Sequence, residues 1–248
     1  MTASTILIMF LAAFFSGMVN AIAGGGTFLT FGVLTLVGLP PVTANATSSI
    51  VQFPGYVTST LAYLKEFRSL AKSAIVLGVI SAIFAFFGSW TLVSMSNPAF
   101  RQLVPWLLLG ATAIFALGPK LKPKASEERH PPGPVGLVIH AATSFYGGFF
   151  GAGMGIMMLA SLALATGGLY HRLNALKNFL SIVIAAVAIA VFSTGGLVSW
   201  WHAAIMIPGV AAGGYAGVHV ARKAPQGLIR GVVIGVGTML AIYYFLSA

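Results

Sequence analysis

Residues 20–28 read Asn20-Ala21-Ile22-Ala23-Gly24-Gly25-Gly26-Thr27-Phe28. The triple glycine splits an apolar stretch into unequal parts. The run before it, 3–23, is long enough to cross a bilayer, and the run after it, 27–39, is not. A spanning helix needs about 20 apolar residues; at about 1.5 Å per residue the second run covers some two thirds of the hydrocarbon core. Glycine lets the chain turn at positive φ and lets other groups approach the backbone. The pattern predicts a helix, a tight turn and a short helix, with the turn at membrane depth. Irregular backbone is tolerated there only inside protein or along a wet cavity.

Composition agrees with this reading. The chain has 248 residues, of which 58% are hydrophobic and only 6% charged, with mean hydropathy +0.97. Soluble domains carry about 25% charged residues. A soluble enzyme, a nucleic-acid binder and a disordered chain are therefore excluded, and a polytopic membrane protein is indicated. Cys is absent, which removes disulfides, thiol chemistry and Cys metal sites. Residues 1–10 lack a basic segment, so the first apolar run is read as part of the mature protein.

Full-length apolar runs occur at 3–23, 44–64, 70–95, 100–118, 134–154, 174–193, 197–220 and 228–247, and a second short run at 156–167. That short run also follows a glycine cluster, Gly147, Gly148, Gly151, Gly153 and Gly155. A polar linker, PKLKPKASEERHPPG at 119–133, divides the chain nearly in half. The halves align without a gap at one constant offset: Gly24 and Gly26 on Gly153 and Gly155, Gly38 on Gly167, Asn45-Ala46 on Asn174-Ala175, Gly88 on Gly217, Arg101 on Arg230. This is an internal repeat, a common transporter construction. The expected units are repeat 1 at 1–118, a cytoplasmic linker at 119–133, and repeat 2 at 134–248.

Basic residues decide how the halves sit. If both halves ran the same way, the 13 Lys and Arg would split seven to six across the membrane. If each half crosses an odd number of times, the halves are inverted, and with the linker inside only Arg101 of the 13 is outside. The positive-inside rule selects inversion. The expected fold is all-α and polytopic, with two inverted-topology repeats. Each is a broken or hairpin helix pair around a Gly-rich turn, followed by three spanning helices. Both termini are expected to be extracytoplasmic, and the two turns to approach each other near the midplane.

Candidate binding residues follow from this plan. Gly24, Gly25, Gly26 and Thr27 form a turn at the start of a short helix, where free amides and the positive dipole end suit an anion. Gly153 and Gly155 repeat the arrangement. Asn45, Ser48, Ser49 and Gln52 share one face of the next helix, as do Asn174, Lys177, Asn178 and Ser181 in the second half. The Asn-Ala motifs are read as opening these helices. A polar stripe on an apolar helix is expected to face the interior or a cavity. Lys177 adds a cation, either for an anionic substrate or as a topological anchor. The sequence has no Asp, and Glu66, Glu127 and Glu128 all fall in loops, so a carboxylate proton relay or sodium site is not expected. His140 is read as a hydrogen-bonded core histidine. Trp90, Trp106, Trp200 and Trp201 are read as interfacial. No motif indicates an enzyme, a cofactor, a metal or nucleic-acid binding.

The Gly24-Gly25-Gly26 turn, Pro40-Pro41-Val42-Thr43-Ala44-Asn45-Ala46-Thr47, and the looser second copy at Gly151–Gly155 and Asn174-Ala175 resemble the sulfite exporter TauE/SafE family, also described as toluene sulfonate uptake permeases. The resemblance implies a multi-pass inner-membrane permease for a small sulfur-containing anion, such as sulfite or an organosulfonate. The function expected is secondary transport by alternating access around a site between the two turns. Alternatives are an anion channel or passive facilitator, and a non-transporting membrane assembly factor. The expected partners are the anion and the bilayer; a homo-oligomer is left open.

Overall fold

The computed structural model describes residues 2–22, 24–64, 70–121, 133–166, 169–220 and 226–247. Among them are ten helices: α1 Ala3–Ile22, α2 Thr27–Leu36, α3 Pro41–Ala62, α4 Ala71–Val93, α5 Asn97–Leu121, α6 Pro134–Phe149, α7 Met154–Thr166, α8 Tyr170–Thr194, α9 Trp200–Val220 and α10 Gln226–Ser247. No strand occurs among the described residues. Four helical stretches, Ala3–Ile22, Ser73–Val93, Asn97–Leu117 and His171–Thr194, are long and apolar enough to cross a membrane. Most of the 119–133 linker lies outside the described residues, although α5 runs past the expected boundary to Leu121.

The helix register repeats at the offset found in the sequence. Pro41, Ala71 and Asn97 begin α3, α4 and α5; their matched positions in the second half, Tyr170, Trp200 and Gln226, begin α8, α9 and α10. Packing is reciprocal. The first helix of each half lies along the fourth helix of the other. Gly213 and Gly217 of α9 bring its backbone against Phe14 and Met18 of α1. Gly88 of α4 and Gly148 of α6 do the same, against Phe145 and Ala85. Small residues permit such close approach in membranes. Gly88 and Gly217, a matched pair in the duplication, thus perform the same packing task.

Contacts also fix relative direction. Gly209, Gly213 and Gly217 meet Phe10, Phe14 and Met18 in rising order, so α1 and α9 are parallel. Thr47 bonds Ser199, Thr58 bonds Ala211 and Ser59 bonds Gly214, so α3 is parallel to α9 as well. The end of α3 reaches the start of α8, where Tyr63 meets Asn174 and His171. Its beginning lies beside Ser199, just past the end of α8. Corresponding helices α3 and α8 are therefore antiparallel.

Three sequence expectations change. The run 134–154 is a helix of only 16 residues, because the chain leaves helical geometry at Phe150 and turns at Gly151 and Gly153, both at φ +76. The short helix after it starts at Met154, ahead of the expected 156, so Gly155 belongs to the first turn of α7. The Asn-Ala motifs do not open their helices. Proline at the first helical position needs no N–H partner, so α3 starts at Pro41 and Asn45 is already its fifth residue. By the same register Asn174 is the fifth residue of α8.

The centre is aromatic: Phe28, Phe31, Phe100, Phe115 and Phe150 are fully buried. Phe31 meets Phe150 edge-on at 5.5 Å and stacks on Tyr244 at 5.9 Å. Large apolar side chains also cover the outside, with Trp90, Trp106, Trp200 and Trp201 all more than half exposed. An apolar exterior suits lipid as solvent.

Candidate functional site

The first turn follows from glycine geometry. Gly24 sits at φ +81, which a side chain would strain, and α2 starts three residues later. The hairpin closes tightly, with Ser16 Oγ donating to the Gly26 carbonyl at 2.6 Å. Across it runs a buried polar network centred on Gln52. Asn20 Nδ2 donates to Gln52 Oε1 at 2.9 Å, and Gln52 Nε2 donates to Ser16 Oγ at 2.5 Å and Thr30 Oγ1 at 3.0 Å. Thr30 and Ser48 hydroxyls pair at 2.7 Å. Tyr56, buried as well, lines the adjoining cleft together with Thr27 and Gln52. Ser16, Asn20, Thr30 and Tyr56 were not among the expected site residues. Their signal is a polar residue every three or four positions on apolar helices, Ser16 and Asn20 in α1, Thr27 and Thr30 in α2.

The second turn packs directly on the first. A Cβ on Gly24 would lie 2.5 Å from the Gly155 Cα. Gly25 is pressed by Phe115 and Val233, Gly26 by the Ser16 carbonyl, and Gly153 by Ala111. The turns therefore meet as expected, but they fill the space between them with each other.

Asn45 and Asn174 reach across the duplication. Asn45 Nδ2 donates to the Phe149 carbonyl at 2.9 Å, and Asn174 Nδ2 to the Ala21 carbonyl at 2.9 Å. Lys177 Nζ donates to the Asn20 carbonyl at 3.0 Å and is only 1% exposed. These carbonyls end α6 and α1. Helix C-termini leave unpaired C=O groups and a partial negative charge. The two asparagines thus cap the opposite half's first helix, and the ammonium complements the dipole of α1.

Open space lies beside the turns, where α3 crosses α8. The cleft is narrow in this structure, a cavity of about 20 Å³, which is room for about one water molecule. Its polar wall is Thr27, Ser49, Gln52 and Tyr56, with the backbone of Gly147 and Gly151 beside it. Its other wall is apolar: Met154, Ile184, Ala185 and Ala188. None of these residues is charged. Thr27 and Met154 are the first residues of α2 and α7, so both short helices begin at this one cleft.

One part of the polar pattern stays unsatisfied. Asn174 Oδ1, both side-chain polar atoms of Asn178, and Ser181 Oγ are buried without a hydrogen-bond partner among the described residues. His140 lies elsewhere, fully buried between α4 and α6, with Nε2 2.9 Å from Ser81 Oγ and 3.3 Å from the Leu77 carbonyl.

A family profile described as sulfite exporter TauE/SafE matches residues 9–244. Relatives include a probable membrane transporter protein of Haemophilus influenzae, 24% identical over 94% of this chain and 91% of its own length. Another, from Sinorhizobium sp, is 27% identical over 94% and 90%. A third, from Escherichia coli K12, is 24% identical over 94% and 87%. No solved structure matches the chain.

Proposed function

The chain belongs to the sulfite exporter TauE/SafE family of membrane transporters, and from that premise we propose that it is an inner-membrane secondary transporter for a small sulfur-containing anion. The observation that carries this reading is the cleft at the α3–α8 crossing. Two helix N-termini, one from each half, converge there beside a wall of neutral polar side chains. Such ends of broken helices favour negative charge near the bilayer midplane. Thr27, Ser49, Gln52 and Tyr56 supply the side-chain contacts. Gly24, Gly25, Gly26, Gly153 and Gly155 shape the turns, and Asn45, Asn174 and Lys177 hold the helix ends in place.

The mechanism follows from the duplication. Residues 1–118 and 134–248 act as inverted repeats joined by a cytoplasmic linker. Antiparallel α3 and α8 are the geometry that inversion requires, and the basic-residue distribution orients it. Rocking of one half against the other exposes the cleft to each face in turn.

Purified protein in liposomes, assayed with radiolabelled sulfite and methanesulfonate, tests the proposal. Protein-dependent flux of at least one anion is expected. Ser49→Leu, which fills the cleft, should lower it about tenfold or more, the effect of losing a hydrogen bond to a charged group. Uphill flux driven by an imposed pH gradient separates coupled transport from passive facilitation. Flux of neither anion refutes the assigned substrate.

A further inference from the structure

Asn174, Lys177, Asn178 and Ser181 form a stripe on α8, and the stripe continues along the same helix face into Ala185 and Ala188 of the cleft wall. The four polar residues are buried to 1% exposure or less. Four of their polar atoms nevertheless lack partners among the described residues: Asn174 Oδ1, Asn178 Oδ1 and Nδ2, and Ser181 Oγ. In an apolar interior each unpaired polar group costs free energy comparable to a lost hydrogen bond or more. An isolated orphan is tolerable; a run of them on one face, ending at a cleft, indicates groups that are satisfied in another state.

The other half shows what that state looks like. Asn45, Ser49 and Gln52 are the matched positions of Asn174, Asn178 and Ser181. Ser49 and Gln52 line the cleft. Their stripe runs in from the start of α3, beside Ser199, whereas the α8 stripe runs in from the start of α8, beside Tyr63. The two stripes reach the cleft from opposite ends of the bundle.

We propose that the α8 stripe is a second half-site for the anion, shut in this structure and wetted when the cleft opens toward the start of α8. Asn178 Nδ2 and the Ser181 hydroxyl are its donors, the counterparts of Ser49 and Gln52. The acceptors Asn174 Oδ1 and Asn178 Oδ1 suit the water carried with a small anion, or its proton when it is singly protonated. Lys177, one position before Asn178, gives this route a positive charge that the α3 route lacks. The inference rests on the transporter reading above.

The chain has no cysteine, so single cysteines report accessibility cleanly. Asn178→Cys, Ser181→Cys and, as reference, Ser49→Cys are placed in the full chain. A membrane-impermeant thiosulfonate reagent is applied to oriented vesicles from each face. Cysteines at 178 and 181 are expected to react only from the face where α8 begins, and the cysteine at 49 faster from the opposite face. Asn178→Leu, close in volume and unable to hydrogen-bond, is expected to melt no lower than wild type while its rate of sulfite flux falls about tenfold. Two results overturn the proposal: cysteines at 178 and 181 that stay unreactive from both faces while the one at 49 reacts, or Asn178→Leu with undiminished flux. Labelling needs no substrate, so a failure of the sulfur-anion assignment shows as absent flux and leaves the accessibility result intact.

Discussion

Gln52 and Ser181 occupy matching points of the two halves, and their surroundings differ in kind. Gln52 bonds Asn20, Ser16 and Thr30, while Ser181 Oγ has no partner among the described residues. The residues at the matched positions differ in type. Where repeat 1 has Ser16, Asn20, Thr30 and Tyr56, repeat 2 has Phe145, Phe149, Leu159 and Ala185. The shared offset preserves the backbone plan, down to the first residue of three helices. It does not preserve the chemistry between the hairpin and the helix beside it. In repeat 1 polar groups lock α1, α2 and α3 together. In repeat 2 Asn174 and Lys177 bond the end of α1, while Asn178 and Ser181 further along the same face have no side-chain partner among the described residues. A two-state transporter needs elements whose closed and open forms lie close in free energy, and by this comparison α8 is nearer that balance than α3.

The largest expected effect tests the feature that the halves share. Gly24→Val puts a β-branched residue at φ +81 and drives its Cβ to 2.5 Å from the Gly155 Cα. No flexible neighbour can yield there, since the obstacle is backbone. The variant is expected to lose the peak of folded protein in a detergent size-exclusion profile. A folded, normally melting Gly24→Val would show that the turns are not in contact, and the shared plan would fail.

The next tests the difference itself. Gln52→Leu leaves buried groups of Asn20, Ser16 and Thr30 short of partners. Hydrogen bonds between membrane helices are individually modest, but stranded partners add to the loss, giving about 2–4 kcal/mol. Ser181→Ala removes a hydroxyl with no partner among the described residues and is expected to cost about 0.5 kcal/mol or less. Denaturation of both variants in mixed micelles should show this asymmetry. Equal losses would mean that the two halves are packed alike.

Much of this arrangement was legible beforehand, for definite reasons. Hydrophobic run length marks spanning helices, and an ungapped offset marks duplication, so the helix order and the two turns could be placed. Three things were not legible. Glycine matches such as Gly88 with Gly217 reveal a repeated task but not the partner, so the exchange of first helices between halves was invisible. Asn45 and Asn174 were read as helix starts because asparagine is a good N-cap. In the fold proline takes the start of α3, and both asparagines cap helices distant in sequence. Lys177 had two readings, substrate cation or anchor; its contact with the Asn20 carbonyl is a third, set by where α1 ends.

A loss of stability smaller than that of Gln52→Leu carries the finest discrimination. Tyr56 lies in the polar wall of the cleft with Thr27 and Gln52, whereas its counterpart Ala185 lies in the apolar wall of the same cleft. Tyr56→Phe keeps the ring and its packing and deletes only the hydroxyl. Asn20 retains its bond to Gln52, so the network is left in place, and the cost should be about 0.5–1.5 kcal/mol. If the network served folding alone, flux would follow that small loss and stay near wild type wherever the protein is folded. If the hydroxyl is one of the donors that meet the anion, it is used in binding as well, and sulfite affinity should fall about tenfold, the effect of one hydrogen bond to a charged group. The measurement is the concentration dependence of flux beside the melting temperature of the same preparation. A weakened affinity with a nearly unchanged melting temperature makes the repeat 1 network a binding surface. Unchanged affinity with the expected small drop in melting temperature makes it a folding device, and moves the contrast between the halves from transport to stability.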